Sequence, residues 1–385
     1  MATTPSTLQD PFSLHSQLIS QHQSIDLCTP SSLFSPSASY LEALHAITLD
    51  PYKHQYSGSR GNPALLQAIA QLYSKLLSRE LDSKNDILVS AGVDACMTEV
   101  FITFLNPGEE VILIEPIQPL VRSQIRHARG VPVCVSLSDG EINYEKLRKA
   151  FSSKTKIVLL SCPSIFTNKL YSSADLKSVA NLCEEFDTLC VVDERFENLV
   201  FEDQLERIYS LPGMWDRTIS VHSGDILFGV PSMRIGWVIG DGEFINQIMK
   251  AHVMVIFHTP TPTQLAVSKP ICDEVSADLS HSWLSQSNNK ARIARDEMFS
   301  VFKEAGLVPI LPVASYYMLV DVSNLCVEDN SSPVEEMIKR GIGCLPMSVF
   351  SSCKSQRNII VVSFLQPPSV LEALSNKLAL VKSTI

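Results

Sequence analysis

The chain has 385 residues, 45% of them hydrophobic and 19% charged, enough to bury a large core and to form two or more lobes. A formal net charge of -10 without a basic stripe argues against nucleic acid, and no apolar run is long enough to span a membrane. The amino-terminal Met1-Ala-Thr-Thr-Pro-Ser lacks a basic stretch leading into an apolar one, and the ten cysteines contain no Cys-x-x-Cys pair. A cytoplasmic protein with reduced thiols, no metal site and no secretory leader is therefore expected.

In chain order, a helical pattern runs from Pro63 to Leu77, followed by a short apolar run at Ile87. Short runs rich in β-branched residues then recur from Glu110, Val131, Ile157, Thr188, Thr218 and Ile235. Most do not alternate, which fits strands covered on both faces. Helical periodicity fills the gaps at 95–105, 172–186 and 244–255. This alternation predicts an α/β/α sandwich around a mainly parallel sheet. After about residue 277 the pattern changes to a long polar helix (288–305), the strand-like segments 316–321 and 359–364, and a final helix. The expected division is a large α/β domain over 48–276, with 1–47 and 277–385 forming an arm and a smaller α+β domain.

Six strings, in order, resemble the class I/II aminotransferases, the fold-type-I enzymes that use pyridoxal 5'-phosphate (PLP). They are Tyr56-x-x-x-x-Gly61-x-Pro63, Phe104-Leu-Asn-Pro-Gly-Glu-Glu-Val-Ile112, Val192-Asp-Glu-Arg-Phe-Glu-Asn-Leu-Val-Phe201, Pro231-x-x-Arg234-Ile-Gly-Trp237, Ala314-Ser-Tyr-Tyr-Met318 and Leu345-Pro-Met-Ser-Val-Phe350. The resemblance implies a PLP-transferase fold type I and a homodimer. It implies that Asp193 pairs with the pyridine nitrogen, that Arg234 binds the cofactor phosphate, and that Tyr56 reaches that phosphate from the neighbouring subunit.

Other positions depart from the family pattern. The family's Schiff-base lysine lies eight residues before the arginine, which here is Ile226; reading from the serine side puts Gly224 at that position. No lysine occurs anywhere from Ser178 to Met249, so covalent catalysis by a lysine amine is not expected. The segment from Glu115, where the family stacks an aromatic ring on the pyridine, contains Gln118 and no aromatic residue. Ile165 stands at the asparagine, and Phe196 at the tyrosine, that bind the pyridine hydroxyl in the family. The substrate-carboxylate arginine falls at Val361, with Arg357 nearby. In the turn Ala91-Gly-Val-Asp94, a carboxylate stands where the family's helix N-terminus holds phosphate. Asp94 is expected to replace that phosphate in a buried ion pair with Arg234.

His222 and Asp225 lie in the segment that carries the lysine in the family, and Asp193 ends a strand, where α/β folds bind ligands. His222 is the first candidate for a general base, with Asp193 or Asp225 orienting it. The competing readings are a packed core histidine, a turn aspartate, and an Asp193 tied to Arg234 or Arg195. The leading expectation is an enzyme repurposed for cofactor-independent acid–base chemistry on a small organic molecule: cyclisation, isomerisation or C–C bond formation. Two alternatives stay open. One is an aminotransferase-like enzyme holding PLP or pyridoxamine phosphate (PMP) non-covalently, as in family members that act on sugars and carry histidine for lysine. The other is a non-catalytic binding partner.

Overall fold

A computed structural model describes residues 13–29, 35–137, 141–166, 170–202, 204–278, 282–325, 332–351 and 358–382. The chain divides into two compact units. The larger comprises Phe34–Asn289 with Val313–Ser315, and the smaller comprises Met1–Leu33, Lys290–Pro312 and Tyr316–Ile385. The larger unit thus starts before residue 48 and runs past 276, because the helix Ala38–Leu49 buries Tyr40 and Ile47 in its core.

Seven strands form the sheet of the larger unit: β1 (Ile87–Ser90), β2 (Glu110–Glu115), β3 (Val131–Ser136), β4 (Thr155–Ser161), β5 (Leu189–Asp193), β6 (Thr218–Ser223) and β7 (Gly236–Gly240). Their spatial order is β1-β7-β6-β5-β4-β2-β3. Only β7 runs against its neighbours. This is the mainly parallel, doubly covered sheet that the continuous apolar runs predict.

Side chains alternate across each strand, so the sheet feeds two cores. One face carries Val89, Val158, Val192 and Trp237, and meets the helices α1 (Ala38–Leu49), α2 (Pro63–Leu77), α5 (Tyr144–Ala150) and α6 (Ser173–Glu185). The other carries Leu88, Leu159, Val191 and Val221, and meets α3 (Val93–Phe104), α4 (Pro119–His127) and α8 (Gly242–Val255). Each fully buried aliphatic or aromatic side chain contributes roughly 1.5–3 kcal/mol. Local signals set the helix ends. In α2 the Asn62 side chain accepts from the Ala64 N–H, Pro63 opens the first turn, and Ser78 closes the helix at φ +48°.

In the smaller unit, Leu345–Pro346, Ile359–Ser363, Tyr317–Asp321 and Val308–Ile310 form an antiparallel sheet, and Ile25–Asp26 pairs in parallel with Ile342–Gly343. Val361 is fully buried in this sheet, opposite Leu319 and Leu345. It is a core residue and offers nothing to a carboxylate. Arg357 lies outside the described residues.

Candidate active site

The site is assembled at the carboxyl ends of β1, β5 and β6. The turn after β1 enters α3 through Gly92, which has φ +84° and supplies no side chain to cap the helix, so the first-turn N–H groups have no side-chain cap. Gly236 on β7 lets this turn approach the sheet. A Cβ there would lie 2.9 Å from the Gly92 carbonyl carbon and 2.7 Å from the His222 oxygen.

Four charges converge at this helix start. Arg234 Nη2 donates to Asp94 Oδ2 at 2.9 Å, and Arg195 Nη1 reaches Asp94 Oδ1 at 3.4 Å. Arg195 also grips Asp193: Nε lies 2.9 Å from both carboxylate oxygens and Nη2 2.8 Å from Oδ2. Burial alone would raise the Asp94 pKa, but Arg195 and Arg234 outweigh it and hold the carboxyl below its ordinary range. Arg234 sits in the left-handed region at φ +47°, a conformation costing roughly 1–2 kcal/mol for a residue with a Cβ. The expected Asp94–Arg234 pair is present but not dry, since the Arg234 side chain is 54% exposed and Asp94 30%.

Asp225 belongs to this neighbourhood. It lies in the first turn of α7 (Gly224–Leu227), whose N-cap Ser223 accepts from the Ile226 N–H at 3.0 Å. The Ser223 hydroxyl and the Ile226 N–H both donate to Asp225 Oδ1. Burial pushes its pKa up, against the pull of that hydroxyl and of the Arg234 charge.

His222 lies elsewhere. Asp193 pairs in register with Val221, and strand alternation turns His222 to the opposite face of the sheet. There its ring is fully buried, 4.6 Å from the Tyr73 ring, within a separate charge network. Nδ1 is 2.8 Å from Glu197 Oε1, an acceptor only, so this nitrogen carries hydrogen; Nε2 is 2.9 Å from Ser220 Oγ. Arg207 closes the network, 2.5 Å from Glu197 and 3.4 Å from Glu194, while Tyr73 donates to Glu197 and Tyr209 to Glu194. Burial would raise the Glu197 pKa, but His222 and Arg207 bring it down to about 2. Burial prevails at Glu194 and raises it. Donor atoms of Glu194, Glu197 and His222 lie within 4.8 Å of one another, a grouping a metal would need, but Arg207 already supplies the positive charge.

The structure therefore gathers Asp193, Asp94, Arg234 and Asp225 and leaves His222 outside, as the packed core histidine of the competing reading. Gly224 sits against the indole of Trp237; a Cβ there would meet Cζ3 at 2.5 Å, so this position has no room for a side chain. Ile165 and Phe196 are buried, and the Ile165 carbonyl accepts from Ser315. Gln118 is half-buried at the start of α4, with no capping bond. Tyr56 is 82% exposed, edge-on to Phe257 and His258. Arg60 braces the sheet edge, bonding Asn85, Ile87 and Asn246. The pairing of Asp193 with Arg195 was one of the competing sequence readings; what sequence reasoning missed is Arg195 as a partner of Asp94, and Glu194, Glu197 and Arg207 as partners of His222. The string Asp193-Glu-Arg-Phe-Glu197 displays most of these charges; Arg207 carries no local signal.

A family model for the class I and II aminotransferases matches residues 23–373. The chain is 30% identical over 393 residues to human kynurenine–oxoglutarate transaminase 1, covering 94% of this chain and 93% of that protein. It is 31% identical to the kynurenine–oxoglutarate transaminase of Dictyostelium discoideum, over 71% of this chain and 66% of that one. Among solved structures, Bna3p of Saccharomyces cerevisiae superposes with a TM-score of 0.93 at 24% identity, over all of both chains. The N-succinyldiaminopimelate aminotransferase of Mycobacterium tuberculosis gives 0.90 at 22%, covering 98% and 100%. These relatives correct two expectations: catalysis without a cofactor, and the absence of any cofactor. A chain aligned over nearly its whole length with named transaminases is read with the cofactor-dependent members of its fold. The chain belongs to the class I and II aminotransferase family, with the PLP-dependent fold type I.

Proposed function

We propose that the protein is a PLP- or PMP-dependent aminotransferase-family enzyme that holds its cofactor without a lysine bond. The observation that carries this reading is the placement of Arg234 and an uncapped helix N-terminus at one end of the site, with Asp193 at the other. The first pair suits a phosphate once Asp94 is displaced, and Asp193 suits a pyridinium nitrogen once Arg195 is drawn off it, so the residues present can serve both ends of the cofactor. When bound, the cofactor supplies an electron sink for amino-group transfer. Arg234 and the α3 N–H groups bind and orient its anionic end. Asp193 keeps the ring nitrogen protonated once Arg195 turns aside. Ile165 and Phe196, both buried and apolar, would add no hydrogen bond to the ring and would keep water from their side of it.

The missing lysine is part of the proposal. No residue from 178 to 249 offers an amine, and Gly224 has no space for one. Asp225 is the proton carrier of the α7 turn on the side of Arg234, and burial raises its pKa above the ordinary carboxylate value. The relatives' names make kynurenine with 2-oxoglutarate the first donor and acceptor to assay. A homodimer in the cytoplasm completes the reading. It is supported by the exposed apolar side chains Leu49, Tyr52, Tyr56, Met254 and Phe257, and by eight free cysteines among the described residues. No helix among the described residues is long and apolar enough to cross a membrane.

The test is a titration of the purified protein with PLP and with PMP, followed by absorbance, then borohydride reduction and peptide mass mapping. A bound-cofactor band without a reduced adduct, together with amino transfer to an oxo acid, is the expected result. An adduct on a lysine of the site would refute the lysine-free mode. No band and no transfer would leave the non-catalytic reading.

A further inference from the structure

The anion site at the start of α3 already contains an anion. Asp94 projects from the first turn of that helix, and its two oxygens are divided between two guanidinium groups, Oδ2 to Arg234 and Oδ1 to Arg195. Arg195 in turn covers Asp193. The four side chains form a chain of alternating charge, Arg234–Asp94–Arg195–Asp193, with two positive and two negative groups. A phosphate entering this set unchanged would meet a carboxylate at contact range, and like charges so close repel strongly in a partly desolvated site. The network also has an open end, because the Arg234 side chain is half-exposed while Asp193 is buried. Exchange is therefore easiest at Asp94.

We propose that Asp94 is an internal competitor for the cofactor phosphate: a phosphate-bearing ligand binds at the α3 N-terminus only by displacing the Asp94 carboxylate from Arg234 and Arg195. Arg195 couples the two ends. When Asp94 leaves, Arg195 loses its second carboxylate and is drawn toward the incoming phosphate. That movement uncovers Asp193 for the ring nitrogen. Asp94 thus lowers affinity for phosphorylated ligands selectively, and it has no direct effect on ligands lacking the phosphate. The inference rests on the cofactor reading only for the ring end; the phosphate end stands by itself.

The experiment measures equilibrium binding by calorimetry for the wild type, Asp94→Ser and Asp94→Asn, with three probes: inorganic phosphate, PMP and unphosphorylated pyridoxamine. Both variants should bind inorganic phosphate and PMP about tenfold or more tightly than the wild type, a change of about 1.4 kcal/mol or more, with pyridoxamine affinity within about twofold. Asp94→Asn keeps the shape of the side chain and serves if the serine variant does not fold. Variants that bind phosphate and PMP no more tightly than the wild type overturn the inference. So does an equal gain for pyridoxamine, which would make Asp94 a steric obstacle. If the variants gain on inorganic phosphate while PMP binds no better than phosphate alone, the internal competitor stands and the cofactor reading fails. If the wild type binds PMP tightly and neither variant changes it, the cofactor reading stands and the competitor fails.

Discussion

Two charge networks lie on opposite faces of one sheet end, built from similar residues and suited to different tasks. The Asp94–Arg234–Arg195–Asp193 set has an exposed end, so one partner can be exchanged with solvent or a ligand. The His222–Glu197–Glu194–Arg207 set is sealed, with His222 and Glu194 fully buried and Arg207 only 13% exposed. Exposure, not composition, separates them. A charge with access to water is replaceable, whereas a buried one is held by the cost of stranding its partner. A positional argument that assigns chemistry to His222 because its neighbours in sequence carry chemistry in relatives therefore picks the wrong face.

The sharpest way to break this comparison is Arg207→Met. It strands two buried carboxylates and should destabilise the protein by about 3–5 kcal/mol in denaturant unfolding. A loss under about 1 kcal/mol would mean that water reaches the network. Asp225→Asn should leave stability nearly unchanged and lower amino-transfer turnover about 10²-fold or more if Asp225 carries the proton. His222→Ala should do the reverse: it costs about 1–3 kcal/mol of stability by removing one buried donor to Glu197, which keeps Arg207 and Tyr73, with PMP affinity preserved. A His222→Ala variant that is stable but inactive would return the histidine to the chemistry.

Acid titration sharpens the contrast. The Glu197 pKa is depressed on folding, from 4.5 to about 2. Its stabilising contribution is complete above pH 4.5 and is lost as pH falls from there toward about 2. Glu194 is raised, so its contribution has the opposite sign, present at low pH and lost as pH rises through its folded pKa. Stability measured against pH should therefore show a shallower acid limb in Glu197→Gln and a steeper one in Glu194→Gln. The smallest effect is Asp94→Ser on stability, within about 1 kcal/mol, because its partner Arg234 is half-exposed and solvent screens the pair. A loss of several kcal/mol would show that this network too is sealed.

Much of the fold was legible in the sequence. Pro63–Leu77 read as a helix from its apolar periodicity, and the β-branched runs read as strands because they are short, continuous and apolar. The pair Asp94–Arg234 was expected too, from the resemblance to a family whose phosphate sits at this helix start and on this arginine, though as a buried pair rather than the part-exposed one found. Arg207 was not, since it meets Glu197 only through the return of a loop, and neither was the reach of Arg195 from Asp193 across to Asp94, which depends on a side-chain rotamer.

The sequence by itself determined the alternation of elements, the lack of any amine between 178 and 249, and a carboxylate at the start of α3. Only the tertiary structure decided which face of the sheet each residue serves. Strand alternation turns neighbours in opposite directions, and the register that fixes Asp193 beside Val221 is set by packing across β5 and β6. Asp193 and Asp94 are therefore joined through Arg195 on the face that opens at Arg234, while His222, next along the strand from Val221, is sealed on the other.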